Sequence, residues 1–153
     1  MGNVIALLGA AIVVIMTGAA ASIGMQWVQR AAAGVISEEP EKFGKLLILQ
    51  LVPSSSALYG FVVGFMVLMG TVLGGGDVLS VEYGLLVLAA CLPMAIVGFV
   101  QTLAQAKVCV SCVHMVAKNG ELSGKALTMA IFTELFALFA LIVSIMTVMT
   151  VVM

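Results

Sequence analysis

Charge is nearly absent from four long stretches of this chain, and no other sequence feature restricts the fold as strongly. Residues 1–29, 46–76 and 83–106 carry no Asp, Glu, Lys or Arg, and 126–153 is broken only by Glu134. A bilayer core takes about 20 apolar residues of helix, so each run is long enough to cross it. Only 8% of residues are charged and mean hydropathy is +1.30, against roughly 25% charged in a soluble domain. A chain of this kind cannot present an ordinary wet surface. The expected fold is an all-α membrane protein with four transmembrane helices, called here spans 1 to 4 in chain order. A net charge of −1, with no basic patch, argues against a nucleic-acid partner.

The basic residues orient the spans. Arg30, Lys42, Lys45, Lys107, Lys118 and Lys125 all fall in or beside segments 30–45 and 107–125, whereas 74–82 holds only Asp77 and Glu82. The positive-inside rule places the two basic segments in the cytoplasm, and the termini and "GGGDVLSVE" outside. The N-terminal stretch has no positive leader region and its apolar run is too long for a signal peptide, so it is read as a span. Met-Gly opens a myristoylation pattern, but Ala6 stands where Ser or Thr is needed.

The halves repeat. Shifted by 80 residues, "EKFGKLLILQLVPSSSALYGFVVGFM" (41–66) lies on "ELSGKALTMAIFTELFALFALIVSIM" (121–146) without a gap. Glu41/Glu121, Gly44/Gly124, Lys45/Lys125, Leu47/Leu127, Ala57/Ala137, Leu58/Leu138, Val63/Val143 and Met66/Met146 are identical. Apolar matches between spans come easily; the shared Gly-Lys at the loop exit carries more weight. The expected organisation is one membrane domain, with a first hairpin at 1–73, an outer loop at 74–82 and a second hairpin at 83–153. In this alignment Glu134 falls on Ser54, so two homologous hairpins hold one mid-helix ionisable group between them.

An intramembrane carboxylate is expensive and marks a functional site by default. If the second hairpin turns near Asn119-Gly120, Gln105 on span 3 lies level with Glu134 on span 4. If the first turns near Glu39-Pro40, Met25 lies level with Ser54. Ser54, Ser55, Ser56 and Tyr59 then bring hydroxyls to the same layer on span 2. Pro53 has no N–H, so it frees carbonyl oxygens around Val52, and such groups persist in a membrane only if something re-satisfies them. The serines also suit helix packing or hydroxyl-to-backbone bonding. An oxygen-only cluster fits a hard cation or a proton rather than a soft metal. Small residues in "MTGAAASIG" (16–24) suggest that span 1 forms a close-packed inner layer. Ala130 and Ala137, at i−4 and i+3, leave room around the carboxylate.

At this point the residues identify a family. "PEKFGKLLILQLVPSSSALYGF" (40–61), "AQAKV" and "FTELFALF" resemble the duplicated proteolipid subunit (subunit K, or c) of V-type and A-type rotary ATPases. Among these the chain looks most like the rotor subunits of bacterial sodium-pumping V-type ATPases. The resemblance implies a rotor ring of about ten copies in a bacterial or archaeal plasma membrane. It also implies a stationary a-type subunit whose essential Arg displaces the ion, and a central stalk meeting the cytoplasmic segments. Carried onto this chain, Glu134 is the ion-carrying carboxylate, Gln105 a ligand from span 3, Ser55 a hydroxyl ligand and Val52 a carbonyl ligand. Tyr59 matches a Tyr that holds the carboxylate. Ser56 is a departure, since sodium-binding relatives carry a second Gln there; the shorter serine reaches an ion through a water. The expected cargo is Na⁺, with H⁺ as the alternative: the oxygens favour a cation, and an otherwise apolar pocket would favour a proton. A carboxylate passes a lipid-facing surface only when one or the other neutralises it.

Other features are discounted. "CVSC" (109–112) with His114 lacks the ligand count of a zinc site and the βαβ context of a redox motif. Cys109 and Cys112 are read as small residues in the last turns of span 3, with His114 solvated. "GGGD" (74–77) is a flexible outer turn. Methionines fill gaps against lipid or ring neighbours. With no ATP-binding loop, the chain is expected to be a non-catalytic part of the complex with no tightly bound cofactor. The rival readings are a small four-helix secondary transporter exchanging protons at Glu134, and a purely structural tetraspan.

Overall fold

A computed structural model describes residues 1–73 and 80–152. The outer turn at 74–77 lies outside the described residues. Four helical spans run Gly2–Glu38, Pro40–Thr71, Val81–Lys118 and Gly120–Val152, each long and apolar enough to cross a membrane. Long unbroken helices are what lipid demands, because a backbone group without an internal partner finds no water there.

The helices outrun their apolar stretches. Span 1 continues to Glu38 and span 3 to Lys118, so most of segments 30–45 and 107–125 is helix rather than loop. The first charged residue therefore does not mark where a helix ends. Each hairpin closes through one 3₁₀ turn, Pro40–Lys42 in the first and Gly120–Leu122 in the second, where the sequence placed the turns. Proline at the first position suits the first turn, since a missing N–H costs nothing there. In the second turn the Asn119 side chain accepts from the Glu121 N–H at 2.9 Å. Lys42 ties the hairpins together: its ammonium donates to Glu39 at 2.6 Å and to the Ala117 carbonyl, at the end of span 3, at 2.6 Å. Helix C-termini favour a cation in that position.

Spans 1 and 3 pack on each other over most of their length, with span 2 against span 1 and span 4 against span 3. The small residues of span 1 make this approach possible. Ala6, Ala10, Ala20, Ala21 and Ala32 are all buried, and a Cβ on Gly9 would come within 2.9 Å of the Leu88 Cα. The outer faces of spans 2 and 4 stay apolar and uncovered, with Leu58, Phe61, Phe132, Phe136, Phe139 and Met146 all more than half exposed. Such a surface belongs against lipid or against further protein.

Two prolines each remove a donor from the backbone ladder, span 3 staying α-helical through the first and span 2 tightening at the second. Pro93 lies inside span 3; the next amide, on Met94, donates to the Ser144 hydroxyl of span 4 at 3.1 Å. Pro53 tightens span 2 into a 3₁₀ turn over Val52–Ser54 between Phe43–Leu51 and Ser55–Leu68. That second break lies beside Glu134.

Candidate ion site

Glu134 is buried, at 9% exposure. Its side chain leaves span 4 between Ala130 and Ala137, both fully buried, and methyl groups one turn away on either side leave space for a carboxylate. Each oxygen of that carboxylate takes a donor from a different helix. The Ser55 hydroxyl of span 2 donates to Oε1 at 2.5 Å, and the Gln105 amide of span 3 donates to Oε2 at 2.5 Å. Tyr59, one turn beyond Ser55, turns its hydroxyl toward both Glu134 and Ser55. Three spans thus converge on one carboxyl group.

Two details bear on whether a cation fits. Gln105 is fully buried and its Nε2 also donates to the Ala130 carbonyl at 3.3 Å, while its Oε1 is buried with no partner among the described residues. A buried acceptor without a donor is costly, and a cation is one way to satisfy it. Ser55 has a single hydroxyl hydrogen and two acceptors in reach, Glu134 Oε1 and the Val52 carbonyl at 2.9 Å. When that hydrogen turns to Val52, the lone pairs of Ser55 and the Oε1 of Glu134 become available together. The donor set is all oxygen, as a hard cation requires. Among the described residues, no three His, Cys, Asp or Glu side chains gather into a metal cage.

The other sequence candidates separate. The Val52 carbonyl is not bare: it accepts both the backbone N–H and the hydroxyl of Ser55. The carbonyl whose helical donor Pro53 removes is one turn earlier, at Leu49. Ser54 bonds back to Leu51 at 2.7 Å and does not reach Glu134. Ser56 is fully buried and donates to the side chain of Gln101 at 3.2 Å. Cys109 and Cys112 are buried free thiols, and Cys112 donates to the Ala126 carbonyl at 3.2 Å. His114 is exposed. Gln101 escaped the sequence reading, although it stands four residues before Gln105 in "QTLAQ" and so on the same helical face.

Comparison with known proteins decides the family. The family model for the ATP synthase C-subunit matches twice, over residues 8–67 and 88–147. The chain belongs to the ATP synthase C-subunit family. The two matched segments are themselves 80 residues apart, so the repeat seen in the sequence is a doubled family unit. Members of this family are non-catalytic proteolipid subunits of rotary ATPases. The chain is 36% identical over 137 residues to the V-type sodium ATPase subunit K of Enterococcus hirae, covering 90% of this chain and 85% of that protein. It is 27% identical over 130 residues to the A-type ATP synthase subunit K of Methanocaldococcus jannaschii, covering 85% of this chain and 55% of that one. Membership sets aside the secondary-transporter and purely structural readings.

Proposed function

We propose that this chain is the ion-carrying subunit of a membrane rotor ring in a V/A-type ATPase, and that Glu134 carries one Na⁺ per step. The clasp on Glu134 supports this reading above all. A buried carboxylate receives one hydrogen bond from each of two other spans, beside a buried amide oxygen that has no partner among the described residues. Such a group can bind a cation on one face of a rotation and release it on another, because its ligands are hydroxyl and amide groups rather than fixed charges. Gln105 and Ser55 act as ligands and Tyr59 holds the carboxylate. Ser56 completes the shell through a water, and the Val52 carbonyl joins it only when the Ser55 hydroxyl turns away from it. Pro53 shapes the turn that carries them, and Ser54 lines it.

In this scheme identical copies pack side by side through the uncovered apolar faces, with membrane lipid around them. A stationary subunit presents an arginine that displaces the ion from Glu134, and a central stalk bears on the cytoplasmic turns at Pro40–Lys42 and Gly120–Leu122. Both termini face outside. The sodium pump named among the relatives supports Na⁺ as the cargo; H⁺ is the competing cargo, since a proton needs only one carboxylate oxygen.

Labelling with a hydrophobic carbodiimide, which attacks a protonated carboxyl, tests the proposal. Na⁺ but not K⁺ is expected to slow modification of Glu134 in purified rings. Protection by rising pH alone would make the ring a proton carrier. An unreactive Glu134 would remove the carrier role.

A further inference from the structure

Gln101 has no part in the clasp on Glu134, yet it is only 7% exposed and its amide joins three spans. Its Nε2 donates to the Thr133 carbonyl of span 4 at 2.8 Å, and its Oε1 accepts from the Ser56 hydroxyl of span 2 at 3.2 Å. Thr133 precedes Glu134 and Ser56 follows Ser55. One amide therefore fastens two walls of the ion site at the residues next to its carboxylate and its hydroxyl ligand. It does so beneath a groove of about 490 Å³ between spans 3 and 4, whose other lining residues include Val97, Val100, Ala104 and Phe136. With apolar surroundings and no water at membrane depth to compete, these bonds persist.

Helix packing alone does not explain an amide here. Eighty residues earlier, the matching position of the first hairpin is Ala21, which is buried at 4% exposure, so the same hairpin closes around a methyl group. We propose that Gln101 is a positioning residue that sets the preference of the site for a metal cation over a proton, a proposal that rests on Glu134 being the carrier. The reason is geometric. Coordinating a cation requires oxygens from several helices at a common distance, so affinity falls as the walls drift. Protonation requires one carboxylate oxygen and tolerates the drift.

The test compares wild-type, Gln101→Ser and doubly substituted Gln101→Ser/Ser56→Gln rings by carbodiimide labelling of Glu134, with ring assembly followed on detergent gels. In Gln101→Ser the half-protecting Na⁺ concentration should rise about tenfold, while labelling without Na⁺ keeps the wild-type rate. The exchanged pair, which restores one amide facing one hydroxyl, should recover most of the protection. A purely structural glutamine would instead change the Na⁺-free rate or the assembly. Equal Na⁺ protection of wild type and Gln101→Ser in intact rings would overturn this proposal and leave the carrier reading standing. Wild-type rings that Na⁺ fails to protect would overturn both. If Gln101→Ser rings do not assemble, the exchanged pair is read against Ser56→Gln alone: protection beyond that of the single variant supports the brace, and none beyond it overturns it.

Discussion

Where the first hairpin offers hydroxyls and an interrupted backbone, the second offers amides and a carboxylate. With the halves laid 80 residues apart, Glu134 falls on Ser54, Gln105 on Met25 and Gln101 on Ala21. Ser55 and Ser56 fall on Leu135 and Phe136, which are exposed on span 4. Span 4 stays α-helical from Ser123 to Val152 where span 2 tightens at Val52–Ser54. The site joins the halves, because Glu134 and Gln105 come from the second and the hydroxyl of Ser55 from the first.

The comparison can be broken in stages. Glu134→Gln, the largest change, should reduce carbodiimide labelling and ion-coupled transport to background while rings still assemble, since glutamine keeps the shape and removes the charge. Residual coupled transport in that variant would show that the charge lies elsewhere. Ser54→Glu asks whether the halves are interchangeable. The new carboxylate has methionine at the level where Glu134 has Gln105, so it should cost about 3 kcal/mol in ring stability, read from thermal dissociation. It should add no second Na⁺-protected label; a second protected site would mean that position alone makes a carrier. Gln105→Leu removes the donor to Glu134 Oε2 and should weaken Na⁺ protection by about 2 kcal/mol, roughly thirtyfold. Ser55→Ala removes the donor to Oε1, but Tyr59 still faces the carboxylate, so the loss should be about 1.5 kcal/mol, roughly tenfold. An equal or larger loss in Ser55→Ala than in Gln105→Leu would reverse the order of the two helices in the site.

Much of this was legible before any coordinates. Four charge-free runs gave four spans, because lipid admits few alternatives to an apolar helix, and the Gly-Lys repeat gave the two hairpins. A turn at Asn119-Gly120 puts Gln105 level with Glu134, and the two are hydrogen-bonded. The extent of the helices was harder to read, since hydrogen bonding carries spans 1 and 3 well past their apolar runs. The serines show the limit most clearly. Three consecutive hydroxyls point three ways around a helix, to Leu51, to Glu134 and to Gln101, and only the packed structure selects Ser55 for the carboxylate. Gln101 went unread because its partners, Ser56 and the Thr133 carbonyl, come from two other spans, and a backbone carbonyl leaves no mark in a sequence.

The most direct measurement is equilibrium binding of radioactive Na⁺ to purified rings, alongside Glu134→Gln rings at the same concentration. The account predicts saturable binding of one Na⁺ per chain, not displaced by K⁺ and absent from the variant. Rings that bind no Na⁺ at any pH, or Glu134→Gln rings that retain it, would contradict the site as described.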